Sequence, residues 1–147
     1  MSIIPVTVVD AVHDVVGDPD ELQMNLVLGS EADTCAVLVS SAFGDSEGLS
    51  FEIKAVNPDA PATWGTGSFD QVTPLVLADG TVIGVQKLTL LRFQGGAPVF
   101  SEEATTASVT FDYAEPGPGG WVEGSFDATF PSGGPVTGSF VAPYCDW

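Results

Sequence analysis

The segment "WVEGSFDATF", Trp121 to Phe130, alternates strictly. Val122, Gly124, Phe126, Ala128 and Phe130 fall on one side, and Glu123, Ser125, Asp127 and Thr129 on the other. A period of two is the mark of a strand with one buried face, because successive side chains of a strand point to opposite sides of its sheet. "PSGGP" then turns the chain, and in "VTGSFVA" Val136, Gly138, Phe140 and Ala142 again share a face. The two segments predict a C-terminal β-hairpin, Val122 to Ala142, with matching inner faces.

The same alternation recurs along the chain. "LQMNLVLG" sets Leu22, Met24, Leu26 and Leu28 opposite Gln23, Asn25 and Val27, and "LSFEIKAV" sets Leu49, Phe51, Ile53 and Ala55 opposite Ser50, Glu52 and Lys54. "TASVTFDY" places Val109, Phe111 and Tyr113 together, opposite Ser108, Thr110 and Asp112. "TVIGVQKLTLLRF", from Thr81 to Phe93, follows the turn "ADG" and is the longest strand candidate. "CAVLVSS", beginning at Cys35, is apolar on both faces and reads as a central strand. In "IIPVTVVDAVHDVV" the Val and Ile content favours strand over a helical turn.

Between these runs lie "GDPDE", "GSEAD", "FGDSEG", "NPDAPA", "GGAP" and "EPGPGG". Their Pro and Gly residues pre-set or tolerate turn geometry. Closely spaced short strands of this kind predict an all-β antiparallel β-sandwich, with a flattened β-barrel as the alternative and the last hairpin at its centre. A chain of 147 residues has the length of one domain, spanning 1–147.

Gly-Ser-Phe occurs at Gly67, Gly124 and Gly138. In each copy Gly and Phe share a face and Ser takes the other, so a missing side chain leaves room for an aromatic ring or permits a bulge. The tripeptide then reads as a packing unit, and Phe69, Phe126 and Phe140 are expected to be buried.

Twenty acidic side chains against Lys54, Lys87 and Arg92 give a net charge of −17. Three basic residues cannot neutralise a phosphate backbone, which excludes nucleic acid as an expected partner. Anionic membrane surfaces are disfavoured likewise. No run of eighteen apolar residues appears, so no membrane span is expected, and "MSIIPVTVVD" lacks the features of a secretory leader.

The two cysteines, Cys35 and Cys145, belong to no Cys-x-x-Cys pair. They are read either as a disulfide, which points to an extracellular, cell-surface or periplasmic location, or as two free buried thiols in a reducing compartment.

Nucleophilic catalysis in the usual serine and cysteine enzymes needs a histidine beside the nucleophile. The single histidine, His13, lies between Asp10 and Asp14, has no Gly-x-Ser-x-Gly elbow to serve, and reads as a surface residue of an acidic strand. No catalytic residue is assigned. Asp10, Asp14, Asp18, Asp20 and Glu21 offer carboxylates in a short span and are candidate calcium ligands, although their spacing is not that of an EF-hand. Trp64, Trp121 and Trp147 each flank a turn, where a ring can stack on a sugar or anchor a partner.

"LVLGSEADTC" and the closing "VTGSFVAPYC" resemble segments of small secreted or lipid-anchored all-β proteins predicted in myxobacterial genomes. The resemblance spans Leu26 to Cys145 and implies residence in the envelope or outside the cell, together with a Cys35–Cys145 bridge; it carries no functional residues. The function expected first is a non-enzymatic secreted or surface module acting in adhesion, assembly or macromolecular binding, with a protein or carbohydrate partner or self-assembly. A carrier of small apolar ligands, with a cavity inside a barrel, is the second reading. A glycoside hydrolase or related hydrolase with two carboxyls facing across a cleft beside Trp64 or Trp121 is the third.

Overall fold

The computed structural model describes residues 10–59 and 61–147, so the part of the first predicted strand before Asp10 lies outside the described residues. The elements run β1 (Asp10–Asp18), β2 (Glu21–Gly29), α1 (Thr34–Ser40), β3 (Ser46–Val56), β4 (Gly67–Asp70) and β5 (Leu75–Val76). They continue with β6 (Val82–Gln94), β7 (Ala97–Glu103), β8 (Thr106–Glu115), β9 (Trp121–Phe130) and β10 (Gly134–Pro143). One sheet has the order β1-β2-β3-β6, with β5 and β7 pairing opposite ends of β6, and the other has the order β10-β9-β8-β4. Every pairing between these strands is antiparallel.

The inner faces are those that the alternation names. Met24, Leu26 and Leu28 of β2, Leu49, Phe51, Ile53 and Ala55 of β3, and Val122, Phe126, Ala128 and Phe130 of β9 are buried in one core. Along β6 the alternation changes phase, since Ile83 and Val85 are followed by Leu88 and Leu90. The register against β3 shifts between Glu52 and Ile53, opposite Lys87 and Val85, so Gln86 is an inserted residue. This β-bulge returns both apolar pairs to the core side.

The three Gly-Ser-Phe copies put Phe69, Phe126 and Phe140 in the core, as expected. Gly138 lies opposite Phe126, and Gly124 opposite Phe140 in the same pairing. A Cβ on Gly138 would stand 2.8 Å from Cε1 of Phe126, whose ring meets Phe51 edge-on at 5.6 Å. Gly124 also pairs with Phe111 of β8, and the Phe111 and Phe140 rings on its two flanks meet edge-on at 6.3 Å. A Cβ on Gly124 would meet not a ring but the backbone carbonyl of Thr110 beside the bulge in β8, so this glycine makes room for backbone. Gly67 has a different reason to be glycine: its φ of 138° is one that side-chain-bearing residues rarely adopt. Gly138→Ala is expected to push the Phe126 ring off Phe51 and cost about 1–3 kcal/mol, read by denaturant unfolding. An unchanged midpoint would show that the ring is not in contact with the glycine.

Four expectations are corrected. "CAVLVSS" is not a central strand but the helix α1, which lies outside the sheets. It turns Thr34, Val37 and Leu38 inward at helical spacing and leaves Val39 60% exposed. The hairpin is not central, because β10 ends its sheet. Tyr113 leaves the core face: Asp112 is bulged between Phe111 and Tyr113, so Tyr113 pairs with outward-facing Glu123 and Ala114 with buried Val122. His13 is not at the surface but fully buried. It shares the core side of β1 with Ala11, opposite Leu26, and β10 closes over it.

Candidate binding site

Two structures meet on the outer face of the first sheet. The helix α1 lies over β1 and β2, and its Cys35 is bonded to Cys145 in the segment after β10, across a sequence separation of 110. That bond decides between the two readings of the cysteines, and neither is free. The helix has no side-chain N-cap, no acidic residue in its first turn and no basic residue in its last, and left-handed residues, Asp33 and Ser41, bound it. Seven residues with so little local support do not hold a helix in water. Its position depends on the disulfide and on Asp10, whose Oδ2 accepts a hydrogen bond from the Thr34 N–H at 2.9 Å. Gly29 permits the close approach, since a Cβ there would lie 2.5 Å from Oγ1 of Thr34.

Between this helix and the sheet is a cleft of about 330 Å³. Its walls are Val27 of β2, Leu91 and Phe93 of β6, Val37 and Leu38 of α1, and Phe43 of the following loop, with Trp147 at the mouth. Phe43 stacks on Phe93 at 4.2 Å with the rings nearly parallel. Glu31 and Glu47 bring the polar rim, and Glu47 is ion-paired with Arg92 at 3.4 Å. The volume and the apolar lining place the cleft at the small end of ligand-binding sites. It lies outside the sandwich, whose interior holds Phe51, Phe111 and Phe130.

Of the three tryptophans, Trp147 belongs to this cleft, Trp64 is half-buried against the edge of the core, and Trp121 lies on the outer face of the second sheet. The five carboxylates do not converge. Asp10 and Asp18 stand at opposite ends of the nine-residue β1, about 26 Å apart at ~3.3 Å per residue, whereas calcium needs all its oxygens at about 2.3–2.6 Å. Asp14 accepts a hydrogen bond from Asn25 Nδ2 at 2.7 Å, Glu21 pairs with Lys54 at 2.8 Å, and Asp18 and Asp20 are exposed at the turn. Among the described residues no group of three or more His, Cys, Asp or Glu is placed to hold a metal ion.

His13 donates from Nδ1 to the Ala142 carbonyl at 2.8 Å and accepts at Nε2 from the Gly117 N–H at 3.0 Å. Both ring nitrogens are thus committed to backbone, and neither is available to a nucleophile. Burial holds the imidazole below its ordinary pKa.

Trp147, singled out in the sequence as an aromatic beside a turn, lines the cleft, whereas the residues of its walls are not singled out there. Their signal was present: Val27 interrupts the polar face of β2, and Leu91 and Phe93 fall on the side of β6 opposite its core residues Leu88 and Leu90. Comparison with protein-family models, with curated proteins and with solved structures found no match.

Proposed function

We propose that this protein is a non-enzymatic extracellular or cell-surface binding module whose cleft takes a small apolar ligand. The observation that carries the reading is the apolar space between the sheet and a helix held there by a disulfide. A stapled cover pre-organises the site, so ligand binding does not bear the cost of ordering it. With Glu47 offset by Arg92, Glu31 at the cleft and the net charge of −17 favour a neutral or cationic apolar ligand over a fatty acid or other anion. Location outside the reducing cytosol rests on the disulfide and on the resemblance to small secreted myxobacterial proteins. Among the described residues no helix is long and apolar enough to cross a membrane.

The test uses two apolar fluorophores, neutral N-phenyl-1-naphthylamine and the anionic anilinonaphthalene sulfonate. The neutral dye is expected to bind with energy transfer from Trp147, and the anionic dye to bind at least about tenfold more weakly, a difference of ~1.4 kcal/mol. Leu38→Glu places a carboxylate in the cleft and is expected to abolish binding. Val39→Glu, on the exposed side of the same helix, is expected to leave it intact. Equal binding by both variants would overturn the reading.

A further inference from the structure

A second aromatic site stands on the outer face of the other sheet, at its Trp121 end. Trp121 is 39% exposed and stacks on Tyr113 with ring centroids 4.5 Å apart and planes 20° from parallel. An open groove of about 540 Å³ is lined by Trp121, Glu123, Val141, Pro143, Tyr144 and the side-chain-free Gly119 and Gly120. Two carboxylates are fixed beside the stacked rings, and of these Glu123 lines the groove. Glu123 accepts from Trp121 Nε1 at 2.9 Å, and Glu115 accepts from the Tyr113 hydroxyl at 2.7 Å. These bonds hold acid and ring in a set relation before any partner arrives. Behind the groove, His13 meets Tyr144 edge-on at 5.7 Å, and the Tyr144 N–H donates to the Gly120 carbonyl at 3.2 Å.

We infer that this groove is a docking site for an arginine side chain on a basic protein partner. A guanidinium is planar, weakly hydrated and always charged, so it stacks on an indole face and pairs with a carboxylate at the same time. Lysine carries the charge without the plane. A neutral sugar would gain stacking but nothing from the field of a chain with twenty acids and three bases, and an anion is repelled by that field. The site stands apart from the apolar cleft, on the other sheet, and does not depend on its ligand.

Fluorescence anisotropy of labelled hexa-arginine and hexa-lysine peptides, at physiological salt, tests the inference against cellohexaose as the neutral competitor. Hexa-arginine is expected to bind more tightly than hexa-lysine, and cellohexaose to displace neither. Trp121→Ala is expected to weaken hexa-arginine binding about tenfold. Glu123→Gln keeps an acceptor for Trp121 and is expected to weaken binding several-fold. Glu103→Gln, the same charge change on β7 of the first sheet, is expected to leave it unchanged. Should Trp121→Ala fail to fold, the contrast between Glu123→Gln and Glu103→Gln decides. Three results would overturn the inference: equal affinity for the two peptides, equal loss in the two Glu→Gln variants, or displacement by cellohexaose. The first two would leave only the diffuse negative field as the cause, and the third would make the groove a sugar site.

Discussion

Removing the Cys35–Cys145 bridge, by reduction or by Cys35→Ala with Cys145→Ala, is expected to cost about 4–5 kcal/mol of stability and to empty the cleft. The first figure follows from the loop that the bridge closes, 110 residues of separation, for which chain entropy alone gives about 4.7 kcal/mol at a loop of ~100 residues. The second effect is local. A seven-residue helix without caps or favourable end charges has little stability of its own, and the bridge joins it to the segment that carries Trp147. Chemical denaturation with and without reductant reads the global loss, and binding of the neutral naphthylamine below the unfolding transition reads the local one. Reduced protein that stays folded and still binds the dye would show that the helix docks by packing alone.

The contrast between what was and was not readable from the sequence is one of range. Leu22 to Leu28, Leu49 to Ala55 and Val122 to Phe130 state their inner faces locally, because a strand's side-chain period is two whatever lies across the sheet. The phase change at Gln86 was also present in the sequence, as two pairs of apolar residues an odd number of positions apart. The helix was not legible: seven residues make under two turns, and Val37 and Val39 argue for strand by propensity while only Thr34, Val37 and Leu38 carry the helical spacing. The burial of His13 is hidden from the sequence for a stronger reason. What buries it is Ala142, 129 positions away, and the loop at Gly117, so no window around His13 contains the cause. The binding surfaces divide in the same way. Trp121 and Trp147 stood out as aromatics beside turns, but the pinning of Glu115 by Tyr113 depends on the bulge at Asp112, which reverses the face that Tyr113 takes.

Acid is expected to loosen the seam between β1 and β10, with His13 as the titrating group. The imidazole donates at Nδ1 and accepts at Nε2, so a second proton would set an N–H against the Gly117 N–H in a buried site. Burial lowers its pKa from 6.5 and outweighs the raising effects of the Ala142 and Pro143 carbonyls and of the Asp14 charge. The unfolded chain therefore takes up the proton first. The stability contributed by neutral His13 is complete above about pH 6.5 and is lost as pH falls toward the lower folded value, at up to ~1.4 kcal/mol per pH unit. Asp14 works in the opposite sense at lower pH. Burial raises its carboxyl above 3.8, against the Asn25 hydrogen bonds, so the folded state takes up that proton first and the cost of burying the ionised form is relieved. His13→Leu is expected to strand the Gly117 N–H and the Ala142 carbonyl, at about 1–3 kcal/mol each. It should also flatten the decline in stability from pH 7 to 5, whereas Asp14→Asn should leave that decline in place. Denaturant unfolding across this range measures both effects, and a His13→Leu variant with the parental slope would assign the acid response to another group. Because the same seam carries Gly117, Gly120 and Tyr144, its loosening in acid should also blunt hexa-arginine binding at the Trp121 groove, and His13→Leu should remove that pH dependence.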